Sequence, residues 1–195
     1  MFEPAPDELI LVRHAPSDAG GRVCGRLDLP ALVPDAAALA PLRAALAGAR
    51  VRAASPALRC RQTAEAIWGA AKVETDARLW EQDMGAWEGT PARDLPDLGP
   101  LSLPDLARHR PPDGESFADA VRRMAPALER LADRARGGGG PVAAVAHAGT
   151  SRAGIALATG SVATALAFEI APLSLTRLRC HPGGLAVIAA IWLPR

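Results

Sequence analysis

Two aliphatic runs, 9–12 within "ELILVRH" and 142–146 within "PVAAVAH", show no polar alternation, and each leads into a histidine, His14 and His147. A strand wetted on one face alternates apolar with polar residues, so a run that is apolar throughout needs cover on both faces. The rest of the chain supplies that cover. Asp35 is a candidate N-cap for an alanine-rich amphipathic helix running to about residue 46. "RVRAAS" (50–55) reads as a second strand. Pro56 sits where a helix starts well, and "PALRCRQTAEAIWGA" reads as that helix. "KVET" (72–75) is a candidate third strand. Over 116–136, Phe117, Val121, Met124, Leu128 and Leu131 share one helical face, Ser116 with Asp119 makes a capping-box pattern, and Pro126 predicts a kink. "GGGG" (137–140) ends that helix and is no P-loop, since no Gly-Lys-Ser/Thr follows. "AGTSRAGIALATG" reads as the helix after His147, and "LSLTRLRC" and "LAVIAAIW" as a strand pair joined by "HPGG". The fold class expected is α/β: a three-layer sandwich with a mostly parallel central sheet, an antiparallel edge and helices on both faces.

A chain of 195 residues with 49% hydrophobic positions can bury one sizeable core, so a single domain spanning 1–195 is expected. It carries an irregular excursion at about 90–112, where six prolines mark either a cap over a site or a surface loop. The net charge of +1, from 22 basic and 21 acidic residues, argues against nucleic acid or a membrane surface as a partner. No apolar run reaches the ~18 residues needed to span a bilayer. The acidic, proline-bearing "MFEPAPDE" is the reverse of a secretory leader's basic start. Cys24, Cys60 and Cys180 form no CxxC, which suits a reduced, cytoplasmic protein. The oligomeric state stays open, a homodimer included. Lys72 is the sole lysine beside 21 arginines, so a single Arg here is weak evidence of anything.

In open α/β sheets ligands collect at the carboxyl ends of the strands. If the two aliphatic strands are neighbours, His14 and His147 face one crevice with Arg13 beside them, and a nucleophile and a cation are presented together to something negative. Two histidines could instead hold a metal. No third ligand follows either at helical spacing, and an adjacent guanidinium repels a cation, so neither metal nor other cofactor is expected.

At this point the residues resemble a known family. "LVRHAPSD" is similar to the Leu-Val-Arg-His-Gly-Glu-Thr signature of the histidine phosphatase superfamily, the phosphoglycerate-mutase-like enzymes. "SPALRCRQTA" (55–64), "LWEQDMGAWEG" (79–89) and "VAHAGT" (145–150) resemble its second-arginine, acidic and second-histidine segments, in the family's order. "PPDGESFADAVRRM" (111–124) resembles a stretch common before the last large helix. The resemblance implies His14 as nucleophile, Arg13, Arg59 and His147 around the transferred phosphoryl group, and Glu81 as proton donor. Arginine offers a planar fork of donors that grips two phosphate oxygens at once, and phosphoryl transfer asks mainly for in-line positioning and charge stabilisation. Neighbouring positive charges should keep His14 neutral, a loop carbonyl should fix its tautomer, and desolvation with the bound phosphate should keep Glu81 protonated.

Some positions depart from the family pattern. Ala15 and Pro16 replace the usual Gly and Glu, and Ala148 stands where Gly is usual, where its backbone N–H is a candidate phosphate donor. Ser17 and, in "GRLDLP" (25–30), Arg26 are candidate substrate contacts. Glu88 resembles a structural position, Trp80 and Trp87 are candidates for a pocket wall or for packing, and His109 and His181 are expected on the surface. The implied activity is metal-independent hydrolysis of a small phosphorylated metabolite, with the alpha-ribazole phosphatases the most similar branch. A phosphoglycerate mutase, a phosphatase of phosphohistidine proteins and a non-catalytic phospho-ligand scaffold are the alternatives.

Overall fold

The computed structural model describes residues 3–194; Met1, Phe2 and Arg195, including the first two residues of the acidic N-terminal stretch, lie outside the described residues. The chain forms β1 (Glu8–Arg13), α1 (Ala36–Leu46), β2 (Val51–Ala54), α2 (Leu58–Trp68), β3 (Glu74–Thr75), α3 (Leu103–Arg108), α4 (Phe117–Arg136), β4 (Val142–Ala146), α5 (Ala148–Thr159), α6 (Val162–Ala165), β5 (Leu175–His181) and β6 (Gly184–Trp192). The strands make one sheet in the order β3-β2-β4-β1-β5-β6. β1, β2, β3 and β4 pair in parallel, whereas β5 runs antiparallel to β1 and to β6. This is the expected mostly parallel sheet with an antiparallel edge.

The lack of alternation in the central strands now has its cause. Leu9, Leu11, Val142 and Ala144 pack on one face against α4 and α5, whose Met124, Leu128, Leu131 and Ile155 are fully buried. Ile10, Val12, Ala143 and Val145 point to the other face, against Leu39, Leu42 and Leu46 of α1 and Cys60, Ala64 and Ile67 of α2. Removing apolar surface from water on both sides of β1 and β4 drives this layering and fixes the two strands as rigid neighbours. Arg13 pairs with Ala146 in the parallel register, so both strands expire at the same level.

α4 begins as the capping pattern predicts: Ser116 Oγ accepts from the Asp119 N–H, and the Asp119 carboxylate accepts from the Ser116 N–H. The helix runs through Pro126 without interruption. Pro126 is exposed, so the carbonyl it leaves without a helical donor lies on the side where water can serve it. The third strand is shorter than 72–75, since only Glu74 and Thr75 pair with β2. The excursion at 90–112 is not wholly irregular. It holds a 3₁₀ turn at Ala92–Asp94 and α3, N-capped by Ser102 and packed against α4 and α6. No described helix is long and apolar enough to cross a membrane.

Candidate active site

The paired ends of β1 and β4 bring His14 and His147 together, with ring centroids 5.2 Å apart and planes at 72°. Arg59 enters from the first turn of α2, almost fully buried at 1% exposure. Its Nε donates to His14 Nε2 at 3.2 Å and its Nη2 reaches His147 Nδ1 at 3.3 Å. Two more of its donors are held by loop carbonyls, Nη1 by Leu27 O at 3.0 Å and Nη2 by Gly25 O at 2.8 Å, which leaves one Nη1–H for an incoming oxygen.

These partners determine the tautomers. His14 Nδ1 lies 2.6 Å from the Ala15 carbonyl, an acceptor only, so Nδ1 carries the proton and Nε2 keeps its lone pair toward Arg59. Arg59 cannot accept, so His147 Nδ1 bears a lone pair and Nε2–H donates to Ser55 Oγ at 2.9 Å. The neutral form of His14 is favoured strongly, its pKa pushed down to about 4. Burial is the largest cause, and the charges of Arg59 and Arg13, which the sequence offered as the reason, add less. His147, 0% exposed, is held well below its ordinary value by burial and then by Arg59.

Burying neutral histidines ties stability to pH. His14 titrates near 4 in the folded protein against 6.5 for an unperturbed imidazole, so between those values the unfolded chain binds more protons and stability rises with pH. Stability should therefore drop as pH falls from 6.5 toward 4, with His14 contributing on the order of 3 kcal/mol and His147 acting in the same direction. Urea unfolding at pH 7 and pH 4.5 checks this. The wild-type loss should exceed that of His14→Gln, and equal losses would contradict the burial argument.

Glu81 arrives on the segment after β3 and sits at the N-terminus of α5. Its Oε2 accepts the Gly149 N–H at 3.1 Å and its Oε1 the Gln82 N–H at 3.0 Å. This approach needs a glycine: a Cβ on Gly149 would lie 2.0 Å from Glu81 Oε1. The clashing atom ends a flexible side chain, so Gly149→Ala should change stability by less than about 1 kcal/mol while swinging the carboxylate away. The expected loss in kcat/KM is about 100-fold, with wild-type unfolding by urea. Unchanged turnover would mean that this position of Glu81 does not matter.

Two buttresses hold these groups, and the sequence revealed only part of them. Arg123 of α4 donates to the carbonyls of Arg78 (2.7 Å), Trp80 (3.0 Å) and Glu81 (3.1 Å), and makes a bidentate pair with Glu115 at 2.7 Å for both bonds. Glu115 in turn accepts the Asp83 N–H at 3.1 Å. Neither residue had been assigned a role, although both lie in the "DGESFADAVRRM" stretch. Glu88 is the second buttress, as its resemblance to a structural position implied. It accepts the backbone N–H groups of Gly25, Arg26, Leu27 and Met84 at 2.7–3.1 Å, fixing the loop whose carbonyls clamp Arg59. Gly25 is needed there, since a Cβ would meet Gln82 O at 1.9 Å.

A cleft of about 360 Å³ opens at this point, with Arg13, His14, Ser17, Arg22, Arg59 and Glu81 in its wall. Arg13 is anchored through Nη1 to the Ile170 carbonyl, while its buried Nε has no partner among the described residues. A phosphate oxygen would satisfy that donor. The other expected contacts are placed differently. His147 lies behind Arg59 and His14, outside the cleft wall. Ala148 opens α5 and is likewise outside the wall. Arg26 turns its guanidinium over the Trp80 ring at 5.6 Å and toward Glu115 at 4.0 Å. Trp80 also stacks on His147, and Trp87 on His109, which is half-buried rather than on the surface. Ala15 has no positive φ, so alanine costs nothing there, and its N–H donates to Thr63 Oγ1 at 3.0 Å. No residue of 90–112 lines the cleft, so that excursion is no cap over it in this structure. Arg22 was overlooked because nothing in the pattern set it apart from 20 other arginines.

The family model described as histidine phosphatase superfamily (branch 1) matches residues 9–191. The chain belongs to the histidine phosphatase superfamily. Among solved structures, this histidine phosphatase is similar to a mycobacterial glucosyl-3-phosphoglycerate phosphatase, with 26% identity over 95% of this chain and 97% of that one and a TM-score of 0.79. It shares its fold with the alpha-ribazole phosphatase of Shigella flexneri (19% identity, 95% and 96% covered, TM-score 0.78) and with YhfR of Bacillus stearothermophilus (23%, 95% and 97%, 0.81). No curated protein matches the sequence significantly.

Proposed function

We propose that this histidine phosphatase hydrolyses a small phosphomonoester through a phosphohistidine on His14, without a metal and within a single domain. One observation carries the reading: a neutral imidazole in the cleft wall, its Nδ1 fixed by Ala15 O and its unprotonated Nε2 held by Arg59 Nε, with Arg13, Arg59 and Glu81 in the same wall. Arg13 and Arg59 take the phosphate oxygens, Arg59 from a position already beside the attacking nitrogen. His14 Nε2 attacks phosphorus, the O–P bond breaks, and the leaving alkoxide takes the proton of Glu81, whose protonated form the phosphate dianion favours. Water then attacks the phosphohistidine, giving its proton to Glu81, and the N–P bond breaks to release inorganic phosphate. His147 acts from behind, presenting a lone pair that holds Arg59 in place. Three free cysteines support a reducing, cytoplasmic setting.

Alpha-ribazole 5'-phosphate is the narrower substrate suggested by the sequence resemblance, and glucosyl-3-phosphoglycerate the one suggested by the 26%-identical neighbour. Phosphate release from a panel of phosphorylated metabolites, run beside phosphoryl exchange with 3-phosphoglycerate, tests the reading. Hydrolysis with little exchange is the expected result. Exchange outrunning release would make the protein a mutase, and vanadate binding with no hydrolysis at any pH from 5 to 8 would make it a scaffold.

A further inference from the structure

The proton on His14 Nδ1 depends on one acceptor, the Ala15 carbonyl at 2.6 Å, and among the described residues that carbonyl has no other donor. Its direction is therefore set by how the Ala15 backbone is held. On one side the Ala15 N–H donates to Thr63 Oγ1 at 3.0 Å, 48 residues away in sequence. On the other side stands Pro16, whose ring excludes helical backbone from the residue before it and leaves an extended conformation. The Pro16 carbonyl is itself held by the Leu32 N–H at 2.6 Å.

Thr63 lies in α2, one turn beyond Arg59, and is 1% exposed. A helical threonine can turn its O–H to the carbonyl four residues back, and Thr63 does so, donating to Arg59 O at 2.7 Å. Spending the proton there leaves the lone pairs of Oγ1 to accept the Ala15 N–H. One hydroxyl thus ties the backbone beside the nucleophile to the backbone that carries Arg59, whose Nε meets His14 Nε2. Gln62, its neighbour in α2, adds a second tie to the same loop, its Oε1 accepting the Ala31 N–H at 2.8 Å. Ala15 is 0% exposed, so no water replaces the Thr63 oxygen if it is removed.

We propose that Thr63 is a positioning residue: through the Ala15 N–H it aims the carbonyl that keeps the His14 proton on Nδ1, and so keeps Nε2 unprotonated for attack. Pro16 acts on the same carbonyl from the other side. The kinetic consequence rests on the phosphomonoesterase reading, whereas the effect on the His14 tautomer does not.

The test uses Thr63→Val, which keeps the shape and deletes the oxygen, Thr63→Ser, which keeps the oxygen, and Pro16→Ala. The ¹⁵N resonances of His14 at pH 7 tell a protonated ring nitrogen from a bare one, and kcat and KM are read with p-nitrophenyl phosphate. Wild type should show a protonated Nδ1 and a bare Nε2. Thr63→Val should mix the two tautomers and lower kcat about tenfold with KM within about twofold, and Thr63→Ser should restore most of both. Combining Thr63→Val with Pro16→Ala should cost less than the product of the single losses, because both loosen one carbonyl. A single tautomer in folded Thr63→Val, or an equal loss in Thr63→Ser, overturns the proposal. Should Thr63→Val not fold, Pro16→Ala carries the tautomer test, and an unmixed His14 there overturns it. If wild type hydrolyses no phosphomonoester while the tautomers still mix in Thr63→Val, the hydrolytic reading fails and the Thr63 assignment stands.

Discussion

His14→Ala is expected to lower kcat/KM by at least about 10⁴-fold and to abolish the acid-labile phosphoenzyme. The unassisted reaction is so slow, with catalysed accelerations reaching ~10²¹, that no water in the same cleft compensates for the lost imidazole. The geometry sharpens the expectation, because among the described histidines His14 alone lines the cleft, its unprotonated Nε2 held by Arg59 in the same wall, whereas His147 lies outside that wall. Rapid quenching with ³²P-labelled substrate, followed by acid and alkali treatment, reads out the intermediate. Turnover of the alanine variant within tenfold of wild type would assign the nucleophile elsewhere.

Glu81→Gln is the second large effect, and it depends on the leaving group. Glutamine keeps the shape and can still accept the Gly149 N–H through its carbonyl, so the site should stay assembled while the transferable proton is lost. Alkyl esters, whose alkoxide must be protonated to leave, should lose about 10²–10⁴ in kcat/KM. A nitrophenyl ester departs without a proton and should lose far less in the phosphorylation step. Measuring both esters with one preparation gives the decisive ratio. Equal losses would move Glu81 from proton donor to mere support of the α5 terminus.

Much of the architecture was legible before any coordinates. Runs such as 9–12 and 142–146 that are apolar at every position admit few environments, and the interior of a helix-covered parallel sheet is the usual one. Ser116 and Asp119 announced the start of α4 because capping is a local interaction, complete within four residues. β3 was overdrawn because pairing, unlike capping, depends on a distant partner: β2 offers a parallel neighbour only to Glu74 and Thr75. The excursion at 90–112 defied a local reading for the same reason. Its α3 is only six residues long and owes its order to α4 and α6.

The candidate site divides in the same way. The two apolar strands that end in histidine pointed to Arg13, His14 and His147, whereas Arg59 and Glu81 were singled out only by the resemblance of their segments to the family's motifs. Direction was not encoded locally. That Arg22 rather than Arg26 lines the cleft, that His147 stands behind Arg59, and that burial more than charge keeps His14 neutral all follow from how loops 15–34 and 78–89 lie against each other. Glu88, Glu115 and Arg123 settle that arrangement through bonds spanning 4 to 63 residues of sequence. A side chain's chemistry belongs to its residue, whereas its partners are chosen by the packing of segments that only the whole fold brings into contact.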